Sequence, residues 1–184
     1  MTFEEARPLI KNGDAINIYK TDGWDLNTFL YGIINFMTGS PIYHVVVAMW
    51  MTTPNGTQRL MCVEANLLGG KQIVPLSIYR RRRMEIMPWP TVYSFSRMEE
   101  KLIDRVATQP YGLLNFVVIG LREFFGIKKP AKSICKGQVC SELVSEAWIE
   151  GGFPFNATVV SPGKLKGEMM RLGVLPSIVI LPIT

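Results

Sequence analysis

Histidine is almost missing from this 184-residue chain: His44 is the single one, and cysteine is nearly as scarce, at Cys62, Cys135 and Cys140. An odd, sparse set of cysteines excludes the dense, even disulfide framework of small secreted domains and points to a cytoplasmic or otherwise reducing compartment. With one imidazole, no Cys-x-x-Cys pair and a lone Cys-x4-Cys spacing, these residues also make a poor zinc set, so no metal or other cofactor is expected. Long apolar runs are absent too. Ile42 to Met51 and Leu113 to Leu121 fall well short of the roughly 20 residues that span a bilayer, so no transmembrane segment is expected. The first eight residues carry Glu4 and Glu5 where an export signal needs basic residues before an apolar stretch, so no signal peptide is expected. No internal repeat, low-complexity tract or linker interrupts the chain, and one domain over residues 1–184 is the expectation.

What is present is a chain of 48% hydrophobic residues, enough to bury one substantial core, and a formal net charge of +5. That charge favours an anionic partner such as lipid headgroups or a cell-wall polymer. The densest charge run is Arg80-Arg81-Arg82-Arg83, preceded by Tyr79. As a solvated loop, or as an edge kept from pairing by charge, it needs no ligand. As a site, it suits a phosphate-bearing lipid or polymer, with Lys128, Lys129, Lys132 and Lys136 extending the basic surface. Tyr43 and Arg80 to Arg83 are therefore the candidate substrate- or anion-contacting residues. Without interleaved aromatic residues, nucleic acid is not an expected partner.

Alternation predicts a strand at Ala15 to Tyr19, and spacing predicts a helix from Asp25 to Gly39. Val45 to Met51, Leu60 to Ala65 and Lys71 to Val74 then read as an antiparallel meander, with further short strands at Met84 to Met87 and Val92 to Phe95. Ser96-x-x-Glu99 has the form of a capping box opening a helix through about Thr108, and Pro110 to Phe125 reads as a second helix. Cys140 to Glu150 is a helix closed by Gly151-Gly152, Ser161-Pro162 starts another that stops at Gly173, and Ile178 to Leu181 is a closing strand. Sheet first and helices later make an α+β class.

Three side chains carry the chemistry. Leu143, Val144, Ala147 and Trp148 share the face of Cys140, so that face is the buried one and the thiol points toward the sheet. A cysteine opening a helix meets unpaired N–H groups and the positive end of the helix dipole, which stabilise a thiolate. Taken alone, a cysteine is as commonly a small buried apolar side chain. His44, at the head of Val45-Val46-Val47, is read alone as a hydrogen-bonded core histidine. Glu64 changes the weighing: it sits inside Leu60-Met61-Cys62-Val63-Glu64-Ala65, beside the His44 strand, and a carboxylate in an apolar strand is costly unless paired. Nucleophile, base and orienter follow, in the logic of a catalytic triad.

In chain order, Gly13-Asp14, Phe36-Met37-Thr38-Gly39-Ser40-Pro41-Ile42-Tyr43-His44-Val45, Val63-Glu64-Ala65, Cys140-Ser141-Glu142-Leu143-Val144 and Ser161-Pro162-Gly163-Lys164-Leu165 resemble the circularly permuted branch of the NlpC-type papain-like hydrolases. That branch has bacterial and poxviral members and is related to the lecithin:retinol acyltransferase group. The resemblance implies a permuted papain-like fold with an antiparallel sheet packed against helices, with Cys140 as nucleophile, His44 as general base and Glu64 as orienter. Members act on amide, peptide, ester or thioester bonds. The expected function is cleavage of an amide or peptide bond, cell-wall peptides included, through an acyl-enzyme. A lipid or ester acyl hydrolase or acyltransferase, and a non-catalytic binding or assembly protein on the same fold, are the alternatives, and a viral or phage origin is compatible. The backbone N–H of Cys140 is the oxyanion donor expected, and Gln138, two residues before it, is a second candidate whose spacing is short for that role. Cys135 reads as a loop residue, with a regulatory disulfide to Cys140 as the rival reading.

Overall fold

The computed structural model describes residues 1–20, 40–66, 70–106, 140–156 and 161–182. Within them, six strands form one sheet: β1 (Ala15–Tyr19), β2 (Ile42–Thr52), β3 (Gln58–Asn66), β4 (Gly70–Pro75), β5 (Met84–Met87) and β6 (Ile178–Ile180), in the spatial order β4-β3-β2-β1-β5-β6. Every neighbouring pair is antiparallel. The described helices are α1 (Phe3–Ala6), α2 (Phe95–Arg105), α3 (Cys140–Glu150) and α4 (Pro162–Arg171). The class is α+β, as expected.

The apolar run of β2 is nearly continuous because both faces of the sheet are covered. Val45, Val47 and Met49 enter one core with Val63, Ala65, Leu143, Val144, Trp148, Leu165 and Met169, beneath the helices. Val46 and Ala48 enter a second core with Phe3, Ile10, Ile16, Ile18, Leu60, Cys62 and Leu76, formed by the N-terminal segment and the turn after β4. Side chains alternate across a strand, so a strand buried on both sides has no polar face to show.

Helix α3 is buried at Leu143, Val144, Ala147 and Trp148, as its spacing predicts, and also at Ser141, Glu142 and Ser145. Its far end is anchored by rings: Trp148 meets Phe153 at 4.8 Å and Trp89 at 5.0 Å, both edge to face. Such an anchor fixes where the first residue, Cys140, stands.

Two expectations need correction. Val92–Phe95 is not a strand: the Tyr93 N–H closes a turn onto the Pro90 carbonyl, and the Ser94 N–H donates to the Gly151 carbonyl. The cap of α2 is Ser94, not Ser96, and its hydroxyl accepts from the Arg97 N–H while Ser96 bonds it laterally at 3.0 Å. The backbone leaves the extended region only after Ser94, which decides between two serines of equal capping chemistry. The helix α1 was not legible beforehand, although Thr2 and Glu5 form a reciprocal capping box there. The expected helices at 25–39 and 110–125, and Cys135, Gln138, Lys128, Lys129, Lys132 and Lys136, lie outside the described residues.

The turn into β1 depends on Gly13. Its φ is 90°, and a Cβ there would stand 2.5 Å from Met98 Cε and 3.0 Å from the Trp89 ring. Asp14 beside it accepts from the Lys11 and Trp89 N–H groups at 2.8 and 2.9 Å. Gly13→Ala is expected to lower stability by roughly 1–3 kcal/mol, from positive φ and overpacking together. The urea midpoint measures it, and an unchanged midpoint would contradict the packing described.

Candidate active site

His44 lies near the start of β2, beside an irregularity in the β1–β2 ladder. Ile18 pairs with His44 and Tyr19 with Ile42, so Tyr43 is an extra residue with no partner opposite. A bulge of this kind increases local twist and re-aims the side chains around it. The register of β2 on β3, read onward from Val47 opposite Val63, sets Glu64 opposite Val46 and so diagonal to His44 on the same face. The ring Nε2 lies 2.8 Å from Glu64 Oε2. A carboxylate has no proton to give, so Nε2 is the donor and the lone pair of a neutral ring sits on Nδ1.

Glu64 is 0% exposed, and it is satisfied by two further donors. Gln72, directly across on β4, donates to Oε1 at 2.7 Å, and the Tyr79 hydroxyl donates to Oε2. Burial alone would raise this carboxyl, but His44, Tyr79 and Gln72 outweigh it and hold its pKa down at about 2. Burial together with the Glu64 charge pushes Tyr79 well above the ordinary tyrosine range, so it stays a donor.

Burial also opposes charge on His44, yet the negative charge of the nearby Cys140 and then Glu64 push the imidazole up to about 10. Nε2 is committed to Glu64, so Nδ1 is the nitrogen left for the thiol. Cys140 and His44 are 5% and 2% exposed, which keeps the pair out of the high-dielectric solvent that would screen it. Cys62 is different. Burial first and the charge of Glu64 second push its thiol well up, so the second described cysteine is a core residue.

Helix α4 meets the chain at the entrance to β2. Its cap Ser161 accepts from the Lys164 N–H, and Gly163 approaches Ser40 so closely that a Cβ would stand 2.6 Å from Ser40 Oγ. Thus Ser161-Pro162-Gly163 and Ser40-Pro41, far apart in the chain, meet at the entrance to β2. Lys166 of α4 lies 2.6 Å from Glu85 Oε1 and donates to the Tyr19 hydroxyl at 3.1 Å, while Tyr19 donates to Glu85 Oε2 at 2.9 Å.

The expected residues Cys140, His44 and Glu64 are brought together, and Tyr43 joins them, its ring centroid 6.0 Å from that of His44. Arg82 and Arg83 fold over Tyr43 and Tyr19, their guanidinium carbons 4.8 and 4.6 Å from the ring centroids. Sequence reading missed Gln72, Tyr79, Tyr19, Glu85 and Lys166. A glutamine directly before Ile73-Val74 was the one local hint. The others depend on pairing between distant strands. Among the described residues, no cluster of His, Cys, Asp and Glu is suited to a metal ion, and no helix is long and apolar enough to cross a membrane. A surface groove of about 350 Å³ at the beginning of β3, lined by Phe3, Arg7, Arg59 and Leu60 among others, contains none of the three candidate residues. Compared with known protein families the chain matches none, and no curated protein sequence matches it.

Proposed function

We infer that the protein is a thiol hydrolase of amide or peptide bonds, built on a permuted papain-like arrangement in which the base strand precedes the nucleophile helix. The observation that carries this reading is the imidazole of His44, held on one side by a buried, fully hydrogen-bonded Glu64 and coupled on the other to Cys140. Buried ionic groups are expensive, and a cysteine, histidine and carboxylate linked in that order supply a nucleophile, a proton carrier and an orienter.

In this reading Nδ1 of His44 already holds the proton taken from the Cys140 thiol, and the sulfur attacks the substrate carbonyl carbon. The resulting oxyanion is met by the Cys140 backbone N–H at the start of α3. The imidazolium then protonates the leaving amine as the C–N bond breaks, and a thioester remains on Cys140. His44 next takes a proton from water, the hydroxide attacks the thioester, and the acid leaves as sulfur recovers a proton. Glu64 changes no bonds. Its charge steadies the imidazolium in both halves of the cycle.

The test is selective alkylation. Iodoacetamide at about pH 6 to 7 is expected to label Cys140 ahead of Cys62 and Cys135, because a thiolate beside an imidazolium reacts where a buried thiol does not. His44→Ala is expected to erase that preference. Equal labelling of all three cysteines, or labelling led by Cys62, would overturn the reading.

A further inference from the structure

Glu64 meets three side-chain donors with two oxygens, and the donors are not shared evenly. Gln72 has Oε1 to itself at 2.7 Å, whereas His44 Nε2 and the Tyr79 hydroxyl both donate to Oε2, the first at 2.8 Å. Tyr79 ends the short turn Leu76–Tyr79 after β4 and is buried. Its carbonyl accepts from the Arg82 N–H at 2.8 Å, and its ring centroid lies 5.9 Å from that of His44. The hydroxyl is thus built onto the one oxygen that the imidazole uses. Orienting Glu64 would not by itself require it there, because His44 and Gln72 already hold one oxygen each.

A donor on a carboxylate oxygen takes up part of its charge and weakens its hold on any other donor at that oxygen. Left to His44 alone, Oε2 would bind the imidazolium more tightly, and a more basic imidazole is a weaker general acid. We propose that Tyr79 is a positioning residue for His44, acting through Glu64: by sharing Oε2 it keeps the Nδ1 proton acidic enough to pass to the leaving amine. This rests on the hydrolase reading and adds to it the control of proton return. Tyr79 itself exchanges no proton, since burial and the Glu64 charge push its phenol well above the ordinary range. The groups that act on these side chains come from every element around them: Cys140 of α3 on His44, and Tyr43 of β2 and Cys62 of β3 on Tyr79. The carboxyl of Glu64 is held down by His44, Tyr79 and Gln72.

The single histidine makes the test direct, because only one imidazole titrates in the ¹⁵N NMR spectrum. In the Cys140→Ser protein, where no thiolate lifts the ring, His44 is expected to titrate below about 10. Adding Tyr79→Phe is expected to raise that midpoint by roughly half to one pH unit. Gln72→Met, which frees only Oε1, is expected to raise it by a smaller step. A hydroxyl that merely clamped Glu64 would give the opposite sign, since a loosened carboxylate lets the imidazole fall toward its ordinary 6.5. With Cys140 intact, Tyr79→Phe is expected to lower kcat by roughly three- to tenfold at unchanged KM on the best-cleaved member of a panel of acetyl-dipeptide coumarin amides. A lowered or unmoved midpoint in either variant would overturn the proposal, as would a larger step for Gln72→Met than for Tyr79→Phe. A raised midpoint without turnover of any amide in the panel by the intact protein would sustain the link from Tyr79 to His44 and sink the hydrolase. Turnover with an unmoved midpoint would do the reverse.

Discussion

Replacing His44 with Ala is expected to cut turnover of an amide substrate by roughly 10⁴- to 10⁶-fold, and Cys140→Ser by a similar factor. On the proposed hydrolase reading the two act as one unit: without a proton acceptor at Nδ1 the sulfur is a poor nucleophile, and without the sulfur the base has nothing to activate. The double variant is therefore expected to be no worse than either single one. Single and double variants assayed side by side on one substrate measure this. Losses that multiplied would mean that His44 and Cys140 contribute independently, contrary to a ring whose charge is raised chiefly by the cysteine beside it.

Glu64→Ala is expected to lower stability by about 3–5 kcal/mol, because it strands a buried imidazolium, the Tyr79 hydroxyl and the Gln72 amide in one step. Glu64→Gln keeps the shape and one acceptor oxygen, so it is expected to lose less stability and to keep part of the activity. The pH dependence follows from the two shifts. His44 rises from its usual 6.5 to about 10 on folding, so its contribution is complete below about 6.5 and is lost as the pH climbs through about 10. Glu64 falls from 4.5 to about 2, so its contribution is complete above about 4.5 and is lost as the pH drops through about 2. Stability from the pair is thus greatest between about 4.5 and 6.5. In Glu64→Ala the acid limb due to this carboxyl is expected to vanish, while the alkaline limb shrinks but persists through Cys140. Melting temperature against pH measures both limbs, and coincident profiles for wild type and variant would refute the coupling.

The network around Tyr19 ties the site to the rest of the fold. Lys166 brings α4 to β1 and β5, and Gly163 brings the same helix against Ser40. Strand β2 is therefore gripped at its entrance, just before the bulge that sets His44. The aromatic cluster around Trp148 grips α3 at its opposite end from Cys140. Cys140 and His44 are thus each positioned by packing at a distance from the two side chains themselves.

Local chemistry alone determined much of this protein. Alternation and turn residues mark β1 and β5 over the same residues the structure has, and the spacing behind Cys140 marks α3 from Cys140 to Glu150, since short periodic segments with strong stops are decided by nearest neighbours. The pairing of Glu64 with His44 was legible too, because a carboxylate inside an apolar strand demands a partner and the chain has one imidazole. Tertiary structure decided the rest. Whether Ser94 or Ser96 caps α2 depends on where the chain leaves the Gly151 carbonyl. Gln72 and Tyr79 become ligands of Glu64 through the register of β4 and the turn behind it, which no spacing in one segment encodes. The arginine run reads as a solvated loop until two tyrosines from β1 and β2 come beneath it. Periodicity reports what one element buries, whereas register and bulges, set by the whole sheet closing at once, determine which residues of distant elements touch.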